Sequence, residues 1–304
     1  MLSEIIVVGS TNMDMVVKTT HIPAPGETVL GGMFLMNPGG KGANQAVAAA
    51  RLGGGVAFIT KIGNDIFAKQ SIQLFDDEEI NTDGVLADVD HPSGIALITV
   101  DEVGENSIVV APGANAHLNA QDVIIKLNDY PSAKIILLQL EIPMETVEAV
   151  LKYAHEKGVL VMVNPAPVNK KILGLFPFID ILTPNEKEAE MLSGITITSI
   201  ETAILAAAEI RKKGVKKVII TLGKLGAILV NEEGAQHIPS PQVTAIDTTA
   251  AGDVFNGAVT VYLAEGKSLQ EAVSFACKAA AIAVTRLGAQ SSIPYRTEVL
   301  LTHN

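Results

Sequence analysis

Short apolar runs bounded by glycine, proline or charged residues recur along the 304-residue chain, separated by longer segments whose apolar positions follow helical spacing. From residue 131 onward the rhythm is regular. It predicts a strand over 135–140, a helix over Met144–Lys157, strands over 159–163 and 179–182, and a helix over 186–192. Pro143 before the first of these helices and Gly158 after it are the residue types expected at a helix start and stop. Residues 217–222 and Ala227–Asn231 read as two further strands, and the alanine-rich stretches 252–264 and 269–285 as packed helices. The alternation predicts an α/β fold with a mostly parallel sheet covered by helices.

Two segments break the rhythm. Residues 15–36 and 93–110 carry Val, Ile and Thr at strand-like spacing, with turns at Pro23-Ala24-Pro25-Gly26 and Gly104-Glu105. They would pair as a small separate sheet. Because they flank the glycine-rich residues 39–42, that sheet is either a lid over a site or a plain surface hairpin. No tandem repeat, low-complexity tract or linker divides the sequence, so 1–304 reads as a single domain carrying this excursion.

Composition narrows the class. Hydrophobic residues make up 48% of the chain and charged ones 18%, enough apolar content for a large core. The apolar runs fall far short of the ~20 residues that span a bilayer. Met1-Leu2-Ser3-Glu4 lacks the basic region of a secretory signal, and the single cysteine, Cys277, cannot pair within the chain; both lead us to expect a cytoplasmic protein. A net charge of −11 argues against nucleic acid as a partner, and the basic clusters Arg211-Lys212-Lys213 and Lys216-Lys217 read as helix-end residues. Any bound anion must therefore be held locally, by backbone N–H groups, a few cations and a metal.

The segment richest in chemistry is Asp247-Thr248-Thr249-Ala250-Ala251-Gly252-Asp253, which runs into a helical stretch. Small residues at 250–252 let a helix N-terminus expose its unpaired N–H groups, which with the helix dipole suit a phosphate. Asp253 would stand beside that anion, where a carboxylate can take a proton from an attacking hydroxyl, although Asp247 or Asp253 could equally cap the helix. A second segment, Pro38-Gly39-Gly40-Lys41-Gly42-Ala43-Asn44-Gln45, is not a Walker A loop, because Gly42 stands where Ser or Thr is required. Gly9, followed by Ser10 and Thr11, does not open a dinucleotide fingerprint either. What remains is a tight backbone with amide donors and Asn44, suited to a small polyol or to a structural turn. Asn12 and Asp14 alternate onto one side of an extended chain, and Glu141 follows an apolar strand, where open α/β sheets place ligand groups. Each could also be a turn or cap residue. The histidines, His21, His91, His117, His155, His237 and His303, show no zinc-ligand spacing and read as surface residues.

Taken together, these segments resemble the PfkB carbohydrate kinases over nearly the whole chain. One signature is Gly39-Gly40-Lys41-Gly42-Ala43-Asn44-Gln45-Ala46, with Gly53 and Gly63 following; the other is the 247–253 block with Gly257-Ala258. Asn164-Pro165-Ala166-Pro167, Pro184-Asn185-Glu186-Lys187-Glu188 and Thr285-Arg286-Leu287-Gly288-Ala289-Gln290 point to the members that act on ribose. The resemblance implies a three-layer α/β/α core with a small β-sheet lid, and ATP-dependent phosphorylation of D-ribose at O5. The alternative acceptors are deoxyribose, a nucleoside or another sugar. It implies Asp253 as catalytic base and an anion hole from the amides of Ala250, Ala251 and Gly252. Asn12, Asp14, Gly40, Lys41, Asn44 and Glu141 would surround the sugar, with Ala96 and Val110 of the lid closing over it. Asn185, Thr221, Gly223, Gly252 and Cys277 would line the nucleotide site, and Glu188 would help organise magnesium. Asp247, Thr249, Ala283, Arg286, Gly288 and Ser292 would form a potassium site, mostly through carbonyl oxygens. Cys277, where many members have Asn or His, and Ala68, where glycine is frequent, depart from the family pattern. The lid's exposed edge strands lead us to expect a homodimer formed through the lid.

Overall fold

In β1 (Ile5–Val8), every side chain is buried, Ile5 and Val7 on one face and Ile6 and Val8 on the other. A strand buried on both faces needs cover on both, and that requirement organises the computed structural model, which describes residues 3–301. The next strands in chain order are β2 (Asn12–Lys18), β3 (Phe34–Gly39), β4 (Val56–Ile62), β5 (Val85–Ala87), β6 (Gly94–Val100) and β7 (Asn106–Ala111). They are followed by β8 (Ile135–Leu138), β9 (Leu160–Val163), β10 (Ile181–Leu182), β11 (Lys217–Thr221), β12 (Ala227–Asn231) and β13 (Gly234–Ile238). The main sheet runs β13-β12-β11-β10-β9-β8-β1-β4-β5, parallel except for the antiparallel β11-β12-β13 end. Helices α3 (Ala120–Leu127), α4 (Met144–Lys157), α5 (Glu186–Ser193) and α6 (Ile200–Lys212) bury their apolar faces on one side. On the other lie α1 (Lys41–Arg51), α2 (Ile66–Asp77), α7 (Ala251–Ala264), α8 (Leu269–Ala283) and α9 (Arg296–Leu301). This is the expected three-layer α/β/α arrangement. No helix among the described residues is long and apolar enough to cross a membrane.

The two excursions do pair. Strands β3-β2-β6-β7 form a second, four-stranded sheet whose first part begins earlier and ends later than the expected 15–36, at Asn12 and Gly39, and whose second part, Gly94 to Ala111, is shifted by one residue from the expected 93–110. Apart from Met13 and Ala111 the extra residues are polar, glycine or proline, which alternation does not register, yet they pair in the ladders where the sheet roots in the core. Helix α4 matches its sequence signals: Pro143 stands at its N-cap, and Gly158 ends it in the left-handed conformation at φ 69°. The basic run acts at element ends as expected. Lys213 Nζ donates to the carbonyls of Leu192 and Ser193 at the end of α5, and Arg211 to those of Lys216 and Asn231. His91 stacks on His117 at 3.5 Å between ring centroids and is half-buried, and His21, His117, His155 and His237 are exposed. His303 lies outside the described residues.

Candidate active site

The sheet order reverses at β1, whose neighbours β8 and β4 lie far apart in sequence, and open α/β sheets bind ligands at the carboxyl ends of strands at such a switch point. Here the chain leaves β1 through Ser10 and Thr11 into the lid, β8 runs on to Gln139 and Glu141, and α1 and α7 begin. Gly40 makes the junction between β3 and α1 possible. It sits at φ 89°, and a Cβ there would lie 2.8 Å from the Asn12 amide nitrogen. Gly42 is equally constrained, since a Cβ there would stand 2.6 Å from the backbone of Gly9 and Ser10. The first turn of α1 therefore lies directly on the end of β1.

That contact gathers the polar groups. Glu141 accepts from the Lys41 amide at 3.0 Å and from Ser10 Oγ at 2.5 Å. Asp253, buried at the start of α7, accepts from Asn44 Nδ2 at 3.0 Å and from Gln45 Nε2 at 2.9 Å. Burial pushes the Asp253 carboxyl above its usual range, opposed by the Lys41 charge and the two amides. Burial, with Glu141 and Asp253 nearby, likewise pushes Asp14 up to about 6, against the pull of Lys41. Burial alone would lower Lys41, but Asp253, Glu141, Glu188 and Asp14 together raise it. Glu188 is raised by burial in spite of its bond from the Asn185 amide and the nearby Lys41. One lysine thus stands among four carboxylates. Asp14, Lys41, Glu141 and Asp253 form one polar cluster, joined by Asn44 through Asp253, with Gly40 lying against Asn12, and register aligns Asp14 with Ala96 and Ala96 with Val110 across the lid. Asn44 is already engaged on both atoms, because its Oδ1 accepts from Gln290 Nε2 at 3.1 Å.

Behind the start of α7 lies a pocket of ≈ 360 Å³, lined by Thr221, Gly223, Phe255, Cys277, Ala280 and Gly252 among others. Burial holds the Cys277 thiol neutral, at about 12. Gly252 lines this pocket, whereas the next residue, Asp253, is buried with its carboxylate bonded into the polar cluster. Ala250 turns the chain there at φ 60°, a conformation that non-glycine residues rarely adopt, and starts α7 with no side-chain cap. The Ala251 amide donates to the Thr248 carbonyl at 3.3 Å, and those of Ala250 and Gly252 have no acceptor among the described residues. Asn185 does not line the pocket; it bridges to Thr221 at its edge and forms a reciprocal capping box with Glu188.

Of the residues assigned to potassium, Asp247 joins two loops: its carboxylate accepts from the Thr249 amide and hydroxyl and from the Gly288 amide at 2.8 Å. Burial would raise its carboxyl, but these three bonds hold it below the usual range. The Arg286 side chain turns away to Glu298, leaving its backbone near Ala283, and the buried Ser292 hydroxyl donates to the Ala289 carbonyl. Among the described residues no three His, Cys, Asp or Glu side chains converge to hold a metal. A larger cavity of ≈ 590 Å³ lies near Lys61, Asp88 and His91, but Asp88 pairs with both of the others.

Sequence reasoning missed the amides around the polar cluster: Gln45, Gln139, Asn164, Asn256 and Gln290, all buried. Asn115 belongs with them, donating to Asn12 Oδ1 at 2.8 Å. The signal available was a polar residue at an inward position of an alanine-rich helix, Gln45, and it lay inside a motif already singled out.

The family model described as pfkB family carbohydrate kinase matches residues 2–296. The chain is 44% identical to a ribokinase of Haemophilus influenzae, over 97% of this chain and 96% of that protein. It is 36% identical to a deoxyribokinase of Salmonella typhi, over 96% and 95%. A structure of Arabidopsis thaliana ribokinase complexed with ribose and ATP superposes with a TM-score of 0.88 at 34% identity, covering 99% of this chain and 98% of that one.

Proposed function

The chain belongs to the pfkB family of carbohydrate kinases, and on that premise we propose that it transfers the γ-phosphoryl group of ATP to O5 of D-ribose, giving D-ribose 5-phosphate and ADP. The observation that carries this reading is the division of labour at the start of α7. Gly252 faces the ≈ 360 Å³ pocket, which we assign to the nucleotide together with Asn185, Thr221, Gly223 and Cys277, and Asp253 is bonded into the polar cluster, which we assign to the sugar. A phosphoryl group crossing between them would pass the helix N-terminus, where the amides of Ala250 and Gly252 are available to its developing charge. Asp253 takes the proton from O5 as the O5–phosphorus bond forms and the bond to the leaving ADP oxygen breaks. Asn12, Asp14, Gly40, Lys41, Asn44 and Glu141 orient the sugar, Asn44 chiefly by bracing Asp253. Ala96 and Val110 cover it from the lid.

Four carboxylates around one lysine would repel a nucleotide triphosphate, so a divalent cation must accompany it; Mg2+ brought in with ATP would supply that neutralisation and stabilise charge on the transferred group. Its ligands would come mainly from ATP, with Glu188 on the nearby α5. The ionised Asp247, set between the 247–249 and 283–292 loops, suits a monovalent cation, and we assign K+ to Asp247, Thr249, Ala283, Arg286, Gly288 and Ser292, mostly through carbonyls. Bound there it would fix the loop that precedes the anion hole. The deoxyribokinase relative favours one second reading, deoxyribose as acceptor. ATP consumption measured with Mg2+ and K+ across ribose, deoxyribose, fructose, adenosine and uridine decides between them. Preference for ribose is expected; preference for deoxyribose moves the substrate, and turnover of none overturns the ribose reading in favour of an acceptor outside the panel or a noncatalytic sugar-binding role.

A further inference from the structure

Both carboxylate oxygens of Asp253 are held by side-chain amides, and the Gln45 amide is itself held from behind. Gln139 Nε2 donates to Gln45 Oε1 at 2.6 Å, while Gln45 Nε2 donates to Asp253 Oδ1 at 2.9 Å and to Asn164 Oδ1 at 3.2 Å. Gln45 and Gln139 are fully buried. The neighbouring inward positions of α1 are Ala43, Ala46, Val47, Ala48 and Ala49, so an apolar side chain would satisfy packing at position 45. The arrangement also carries a cost. Gln139 Oε1 is buried with no hydrogen-bond partner among the described residues, a state that folded chains rarely tolerate away from functional sites. Gly9 is what admits it, since a Cβ there would fall 2.0 Å from that oxygen. The unpartnered oxygen is the consequence of aiming the Gln139 N–H at Gln45. With its own oxygen engaged, Gln45 cannot flip, and it must present N–H, not C=O, to the carboxylate.

We propose that Gln45, locked by Gln139, is a positioning residue for the base: it fixes the plane of the Asp253 carboxylate and keeps it ionised for proton transfer. This rests on Asp253 being the base. The charged groups facing Asp253 are Lys41 at the start of α1, Glu141 after β8, Asp14 on β2 and Glu188 on α5. Only Lys41 among them favours the ionised form, so the amide donors share that task, and removing one moves the carboxyl further up.

The test compares Gln45→Met, Gln139→Met and Asp253→Asn in the full chain, with kcat, KM and the pH profile of kcat/KM. Loss of a hydrogen bond to a charged group predicts that Gln45→Met lowers kcat ~10- to ~100-fold and moves the acidic limb to higher pH. KM for sugar and ATP should stay within about threefold of the parent, as for a residue that touches neither. Gln139→Met, one bond further away, should move the limb the same way by less. A folded Gln45→Met or Gln139→Met enzyme with an unmoved limb and parental kcat overturns the inference, and if Gln45→Met does not fold, Gln139→Met alone decides it. Asp253→Asn that keeps turnover removes the base reading itself, an outcome separate from a dead Asp253→Asn beside a normal Gln45→Met.

Discussion

Asp14 is the residue whose environment makes the sharpest pH statement. Its carboxyl is pushed up to about 6 by burial and by Glu141 and Asp253, so it loses its charge within the range where the enzyme can be assayed. If the carboxylate is what accepts the sugar hydroxyls, affinity falls as pH drops through about 6. Asp14→Asn should weaken sugar binding by ~10- to ~100-fold at pH 8, from the ~1.5–3 kcal/mol of a charged hydrogen bond, and leave it flat in pH. Titration calorimetry at several pH values reads this; an Asp14→Asn variant with parental affinity would remove the residue from the sugar site. Stability should move in the opposite direction. A folded pKa above the unfolded value penalises the charged form, so the cost is absent below about pH 4 and fully present above about pH 6. Asp14→Asn is therefore expected to be more stable than the parent at pH 8, by at most about 3 kcal/mol, with the difference vanishing near pH 4. Denaturant unfolding at the two pH values checks it, and a variant less stable at pH 8 contradicts it.

At the scale of elements, the site is a contact between two helices that begin far apart in sequence. Asn44 and Gln45 lie on α1 and Asp253 on α7, and their separation is set one turn further along α7 by Gly257. A Cβ there would stand 2.7 Å from the Ala48 Cβ and 2.8 Å from the Ala49 nitrogen. Gly257→Ala must push the helices apart, at an overpacking cost of ~1–3 kcal/mol. Since a displacement of about 1 Å in a catalytic group can cost ~100-fold, activity should fall much further than stability. Steady-state kinetics beside thermal melts test this, and an active but destabilised variant would show that helix spacing does not govern the chemistry. The same two helices show why sequence reading went as far as it did. Periodicity and end signals gave α4, and small residues gave the opening of α7, because those features are local. The partners of Asp253 are not local: Gln45 lies 208 residues away, and no pattern in either segment states that they meet. The capping box at Asn185 and Glu188 was readable from its spacing but was overshadowed by the role that resemblance assigned to both residues.

The whole molecule presents one surface that a single copy leaves uncovered. Register puts Asp14, Ala96 and Val110 on one face of the lid, and two positions further from the core that same face carries Val16, Leu35, Ile98 and Ile108. Ile108 is 53% exposed and Leu35 39%, on a sheet whose outer strands, β3 and β7, are unpaired along one edge each among the described residues. Edges and apolar faces of this kind are usually covered, and a second lid crossing the first would cover both. The face in question continues directly from the residues assigned to cover the sugar, so pairing would also stiffen the cover. We therefore expect a homodimer in light scattering at micromolar protein, and a monomer after Ile108→Glu, because a carboxylate on that face would have to be desolvated on pairing. The Ile108→Glu monomer should bind sugar more weakly while its main core melts as the parent does. A parent that scatters as a monomer, or an Ile108→Glu chain that remains dimeric, would mean that the lid face is not where two copies meet.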